Sequence, residues 1–223
     1  MEKPEVIINV ASSLDGSIAS DKGALEFSSS EDWNRVHSLR NSVDAILVGI
    51  NTIEIDDPQL TVRCVEARMP APIRVVLDST CKIPVTSRIL SDLDQYPTLI
   101  ITSKDAPRDR ITKLLEKGAK ILQVSKEPTI GLLSLEEILN KLKLEYNVNQ
   151  LLVEGGSKVI TQFLKQGLVD VLNIFYSTVF AGTINAKQLY EEEVVPIIDE
   201  SLSFQLINIE QLENGFFVTL KPK

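Results

Sequence analysis

Asp44-Ala45-Ile46-Leu47-Val48-Gly49-Ile50-Asn51-Thr52-Ile53-Glu54-Ile55-Asp56-Asp57-Pro58-Gln59-Leu60-Thr61-Val62-Arg63 is the stretch on which the fold turns. Its first five residues are apolar after Asp44 and read as a buried strand. The run ends on Gly49, where the missing Cβ lets a ligand approach the backbone. A hydroxyl (Thr52), two carboxylates (Asp56, Asp57) and a guanidinium (Arg63) follow, with Pro58 stiffening the turn between them. Mixed polar chemistry at the carboxyl end of a strand is where open α/β sheets bind ligands. A solvated loop after a core strand is the alternative reading.

Outward from this stretch, strands and helices alternate. Val6 to Val10, Ala45 to Val48, Ile73 to Leu77, Thr98 to Thr102, Lys120 to Val124 and Gln150 to Val153 are short apolar runs rich in β-branched residues. Between them lie helical patterns. One starts at Ser28-Ser29-Ser30-Glu31 with capping-box spacing. Others cover Arg108 to Lys117, closed by Gly118, then Leu135 to Lys143, then Ser157 to Lys165, ended by Gly167. Three late runs, Val169 to Val179, Phe204 to Ile209 and Gly215 to Leu220, read as strands without helices between them. The pattern predicts an α/β fold: a mainly parallel, mixed sheet flanked by helices, with an antiparallel C-terminal edge. Residues 1–223 read as one domain, without repeats or a low-complexity linker.

Composition narrows the function. The 223 residues are 43% hydrophobic, enough for one sizeable core. No run of about 18 apolar residues suggests a membrane span, and MEKPEVIINV does not read as a signal peptide. A net charge of −8 argues against a nucleic-acid partner while leaving room for a local phosphate site. Cys64, Cys81 and His37 are the only cysteines and histidine, so no zinc-binding pattern can be assembled and no metal is expected. Two unpatterned thiols suit a reducing cytoplasm. A Ser-His-Asp hydrolase would have to use His37, which falls in a helical stretch and reads as structural or solvated.

Two further clusters carry chemistry. Asn9-Val10-Ala11-Ser12-Ser13-Leu14-Asp15-Gly16 brings hydroxyls, a carboxylate and a turn glycine to the end of the first strand. A plain Asx-type turn is its alternative. Leu152-Val153-Glu154-Gly155-Gly156-Ser157-Lys158-Val159-Ile160 breaks a strand on two glycines and starts a helix. Free N–H groups and the positive dipole end make that start an anion seat suited to a pyrophosphate. Glu154 beside the seat suits a second ligand that presents amino or hydroxyl donors. The chain has neither a GxGxxG nor a Walker loop.

Leu14-Asp15-Gly16, Val48-Gly49-Ile50-Asn51-Thr52, Asp56-Asp57-Pro58-Gln59-Leu60-Thr61-Val62-Arg63, Val76-Leu77-Asp78-Ser79 and Val153-Glu154-Gly155-Gly156 occur in the order and spacing of a known family. Over about residues 5–220 the chain resembles the riboflavin-biosynthesis reductases, most closely their stand-alone archaeal and fungal type. The DDPxLTxR and VEGG elements together are specific to them; LDG is shared with dihydrofolate reductases. The bacterial members carry an additional zinc deaminase domain, for which this sequence has neither length nor ligands.

The resemblance implies a dihydrofolate-reductase-like fold, a homodimer, and NADPH as hydride donor, with NADH as the other option. It places Thr52 and Asp56 near the nicotinamide end and lets the Ala11 backbone line that pocket. It places Gly155, Gly156 and Ser157 at the pyrophosphate. Ser79, Thr80, Cys81 and Lys82 would face the adenosine end, with Lys82 near a 2′-phosphate. Ser29, Arg40 and Arg63 would bind the substrate's 5′-phosphate and nearby oxygens, and Glu154 its pyrimidine or ribityl donors. Asp15 and Glu154 are the carboxylates that could act as a catalytic acid. The implied reaction reduces the opened ribose of a ribosylamino-pyrimidinone phosphate at C1′. A pteridine reductase of the same fold and a non-catalytic dinucleotide-binding module are the competing readings. The late strands, Val171 to Tyr176 for example, are candidates for the dimer surface. The acidic stretch from Gly182 to Ile198 has no assigned role.

Overall fold

The computed structural model describes residues 2–20, 23, 24, 27–182, 186–190 and 202–223. A nine-stranded sheet runs β11-β12-β9-β1-β8-β4-β5-β6-β7. Its members are β1 (Glu5–Ser12), β4 (Ala45–Gly49), β5 (Ile73–Leu77), β6 (Thr98–Ser103), β7 (Lys120–Val124), β8 (Gln150–Gly155), β9 (Val171–Ser177), β11 (Phe204–Leu212) and β12 (Gly215–Pro222). The strands from β9 across to β7 are parallel; β12 pairs antiparallel with β9 and with β11. This is the mixed sheet with an antiparallel C-terminal edge that the alternation predicts.

The connectivity explains where a site can form. After β1 the chain skips one place to β4 and then builds outward through β5, β6 and β7. It returns to insert β8 between β1 and β4. Chain directions diverge at that insertion, so a crevice opens at the carboxyl end of β8, where α/β sheets hold ligands. Leu151, Leu152 and Val153 are fully buried there, each contributing about 1.5–3 kcal/mol of apolar burial.

Side-chain alternation splits the core in two. Val6, Ile8, Val10, Ala45, Leu47, Val75, Leu99 and Val153 face α4 (Leu135–Tyr146) and α5 (Ser157–Lys165). Ile7, Ile46, Val48, Val76, Ile100 and Leu152 face the other way, with Leu114 of α3 (Arg108–Glu116) and Ile53. On that side also lies α1 (Ser30–Ser42). Its N-cap is Ser29, whose hydroxyl accepts the Asp32 N–H.

Three features depart from the sequence reading. Ile50–Asp56, read as the start of a ligand loop, is a short helix, α2, that Asp57 ends in a left-handed conformation. A second, small sheet joins β10 (Lys187–Gln188), β2 (Ser17–Ser20) and β3 (Gly23–Ala24). Val171 to Tyr176 is paired on both sides, by β1 and β12, so it is no free edge; among the described residues the edge is β11. Glu191, Glu192 and Glu193, and most of the acidic stretch around them, lie outside the described residues.

Arg74 ties the outer strands to the loop after α2. It is fully buried and ion-paired with Asp92 at 2.7 Å. It donates to the carbonyls of Gln59 at 3.1 Å and Tyr96 at 2.5 Å. Burial pulls its guanidinium below the ordinary value, and Asp92 opposes that pull. Asp92→Ala leaves the cation buried without its counterion. We expect a loss on the order of 3 kcal/mol, read as a Tm drop of roughly 6–12 °C by calorimetry.

Candidate active site

Glu154 is the penultimate residue of β8 and Arg40 lies in the last turn of α1. Their side chains are 9% and 8% exposed and meet in a bidentate pair, Arg40 Nε to Oε1 and NH2 to Oε2, each at 2.7 Å. Arg40 NH1 also donates to the Thr61 carbonyl at 3.2 Å. Burial disfavours the Arg40 charge, but the facing carboxylate more than offsets it and the pKa is raised. A planar fork held on both oxygens fixes the orientation of the carboxylate.

Around this pair opens a cleft of about 1170 Å³ at the carboxyl ends of β1, β8, β4 and β5. Ala11, Thr52, Asp56, Ser79, Glu154, Gly155, Gly156 and Ser157 all line it. Gly155 has φ 139°, which side-chain-bearing residues rarely adopt. A methyl group added to Gly156 would stand 3.4 Å from Thr52 Oγ1, so the floor of the crevice keeps backbone accessible to a ligand. Gly156 caps α5 without a side-chain acceptor, leaving first-turn N–H groups available to an anion. These features fit a dinucleotide pyrophosphate.

Other sequence candidates lie elsewhere. Asp15 is outside the cleft lining. Its carboxylate accepts the Ser13 hydroxyl at 2.5 Å and the N–H groups of Ala181 and Gly182 at 2.9 and 3.0 Å. Those bonds, Ser13 first, hold its pKa down to about 2, so it stays an anion and cannot serve as a neutral-pH acid. Thr80, Cys81 and Lys82 are not in the lining. Cys81 is buried in the core, where desolvation raises its pKa, and Lys82 pairs with Glu54 at 2.5 Å. Asp78 shapes this turn by accepting the Thr80 and Ile83 N–H groups at 3.3 and 2.8 Å. Ser29 acts as a helix cap, and its neighbour Ser28 lines the cleft. Arg40 faces the cleft but is committed to Glu154. Arg63 is exposed outside the lining and donates to Gln59 Oε1 at 3.2 Å.

Asp32, Trp33, Arg35 and Lys187 line the cleft without having been singled out from the sequence, and Asn9 and Lys158, within clusters that were, line it without an assigned role. A signal existed for the α1 group. Asp32, Val36, His37 and Arg40 are the buried residues of that helix, and their spacing puts three polar side chains on one inward stripe.

His37 was read as structural or solvated; it is 1% exposed and structural. Its Nδ1 accepts the Arg63 N–H at 3.2 Å, and its ring also bonds the Thr61 backbone. With Arg40 on Thr61 and Arg74 on Gln59, it pins the Gln59–Arg63 segment against α1. Burial, then the Arg40 and Arg63 cations, lower its pKa from 6.5 to about 4, against the pull of Glu154.

The comparisons now bear on this geometry. Dihydrofolate reductase from Enterococcus faecalis, complexed with NADP(H), superposes with TM-score 0.54 at 16% identity, covering 97% of this chain and 95% of that one. Fold and cleft thus define an α/β protein of dihydrofolate-reductase-like architecture. Residues 4–218 match the family described as RibD C-terminal domain, and the chain belongs to that family. A curated relative from Archaeoglobus fulgidus, named 2,5-diamino-6-ribosylamino-4(3H)-pyrimidinone 5′-phosphate reductase, is 36% identical over 98% of both chains. A crystal structure from Thermotoga maritima shares 31% identity with TM-score 0.76. It is titled a diaminohydroxyphosphoribosylaminopyrimidine deaminase and 5-amino-6-(5-phosphoribosylamino)uracil reductase. The match covers 99% of this chain and 57% of that longer one.

Between pH 6.5 and about 4 the unfolded chain takes up a proton at His37 that the folded chain refuses. The stabilisation is complete above pH 6.5 and lost as pH falls through that window, on the order of 3 kcal/mol in all. Urea titrations across this range should show the slope in the wild type, and His37→Asn should flatten it.

Proposed function

We propose that this chain is an NADPH-dependent reductase that converts the ribosylamino side chain of 2,5-diamino-6-ribosylamino-4(3H)-pyrimidinone 5′-phosphate to the ribitylamino form, working as one reductase domain. The observation that carries the reading is a single crevice joining an anion-binding helix start to a buried, arginine-oriented carboxylate. The 36% identity to a reductase named for that substrate supports it.

Gly155, Gly156, Ser157 and Thr52 would hold the dinucleotide, with Ser79 toward its adenosine end and Ala11 and Asp56 toward its nicotinamide. When bound, the cofactor supplies the hydride. The protein orients the open-chain ribosyl carbon and excludes water. Glu154, fixed by Arg40, accepts hydrogen bonds from substrate amino and hydroxyl groups. The Arg63 loop, pinned by His37, Arg40 and Arg74, closes the side of the cleft toward the phosphate. A pteridine reductase is less favoured, since likeness to dihydrofolate reductase at 16% identity carries the fold alone. A non-catalytic module needs no oriented carboxylate beside its anion seat.

A homodimer through β11 is part of the reading. Leu206, Ile207 and Ile209 on this edge strand are 53%, 50% and 59% exposed, and a long apolar edge calls for cover. The free thiols Cys64 and Cys81 suit a cytoplasmic setting.

The purified protein should oxidise NADPH with the ribosylamino-pyrimidinone phosphate and not with dihydrofolate. The reverse preference contradicts the proposal. Glu154→Gln should lower kcat/KM for the ribosyl substrate by about 10²-fold or more while NADPH affinity stays within a few-fold. Unaltered kinetics would remove Glu154 from the substrate site.

A further inference from the structure

Asp32 is fully buried and stands on the α1 wall of the cleft. Its Oδ1 is gripped by Arg35, at 2.8 Å from Nε and 2.7 Å from NH2. Its Oδ2 has no hydrogen-bond partner among the described residues. Arg35 cannot turn to serve both oxygens: its NH1 donates to Asn9 Oδ1 at 2.9 Å, and its guanidinium lies 3.9 Å over the Phe217 ring. A buried carboxylate oxygen without a donor is costly; Oδ2 has almost no exposed surface, so a ligand N–H in the cleft relieves it once the Asp32 carboxylate turns toward the cleft that its residue lines. Glu154, the other buried carboxylate of the cleft, has one Arg40 donor on each oxygen, whereas Asp32 Oδ2 has none among the described residues.

We propose that Asp32 Oδ2 accepts the exocyclic 2-amino group of the substrate base, and so selects a 2-aminopyrimidinone over the corresponding uracil. The proposal rests on the reductase reading above. The names of the two relatives mark the alternatives: one reductase is named for a diamino-pyrimidinone, the other for a uracil. The bases differ at ring position 2, where an amino donor stands in one and a carbonyl acceptor in the other. The amino group meets the carboxylate in a charge-assisted hydrogen bond. The carbonyl sets two acceptors against each other out of water, and a site built for a donor rejects such a ligand strongly. Asp32 is thus a specificity-determining residue.

The test is kcat/KM for both bases, as their ribosylamino 5′-phosphates, in the wild type, Asp32→Asn and Asp32→Ser. NADPH affinity is read by fluorescence alongside. The wild type should prefer the 2-amino substrate by at least about 10²-fold. In Asp32→Asn the carboxamide can keep its oxygen toward Arg35 and turn its NH2 toward a 2-carbonyl. The preference should then fall at least tenfold, with NADPH affinity unchanged; Asp32→Ser should lower it in the same direction. An unchanged ratio in the variants overturns the proposal. So does a wild type that turns over both bases equally, however the variants fold, and that result leaves the reductase reading standing. A wild type that binds NADPH but reduces neither base overturns the reductase reading and this proposal with it.

Discussion

The Arg40–Glu154 ion pair is the constraint on which the site depends. It joins the last turn of α1 to the end of β8, residues 114 apart in sequence. Both charges are taken out of water, and a bidentate geometry is what repays that desolvation. Removing either partner leaves a buried charge, at a cost of about 3–5 kcal/mol. The pair therefore fixes the distance between helix and sheet across the cleft. It also holds a carboxylate beside a helix start that favours anions.

The rest of the wall follows from the same helix. Asp32, Val36 and Arg40 of the inward stripe of α1 line the crevice, and His37 faces the neighbouring Thr61–Arg63 backbone. Each polar member has a defined task in the structure. Arg40 orients Glu154, His37 and Arg40 hold the segment carrying Arg63, and Asp32 and Arg35 form a network reaching Asn9 on β1. Arg74 secures the same segment from the opposite side. The segment itself includes Leu60 at φ 53°, a strained backbone that persists only because its surroundings over-determine it.

The sheet was legible because buried parallel strands are short apolar runs, and Ile46, Val75 and Ile100 sit inside such runs. The paired glycines were legible because strand–Gly–Gly–helix has one physical meaning at a sheet's carboxyl end. The short helix Ile50–Asp56 was hidden by its own polarity, with Asn51, Thr52, Glu54 and Asp56 in seven residues. The strands Ser17–Ser20 and Lys187–Gln188 were invisible because pairing between two short polar segments is decided by tertiary context. Asp15 was drawn into the site by the LDG motif, whereas its carboxylate is consumed in holding Ala181 and Gly182. Asp32 escaped notice because an acid in a first turn already has a reading as a complement to the helix dipole. Lys82, which family position puts near a 2′-phosphate, is ion-paired with Glu54 at the surface.

Trp33 is the only tryptophan of the chain and stands on the cleft wall. Its emission during titration with NADPH is the most direct measurement of the central claim, that one crevice seats the dinucleotide at Gly155–Ser157 beside α1. The account predicts saturable quenching with energy transfer to the bound nicotinamide, and strong weakening of that binding in Gly156→Val. Binding detected by calorimetry with no change in Trp33 emission, and with wild-type affinity in Gly156→Val, would contradict it.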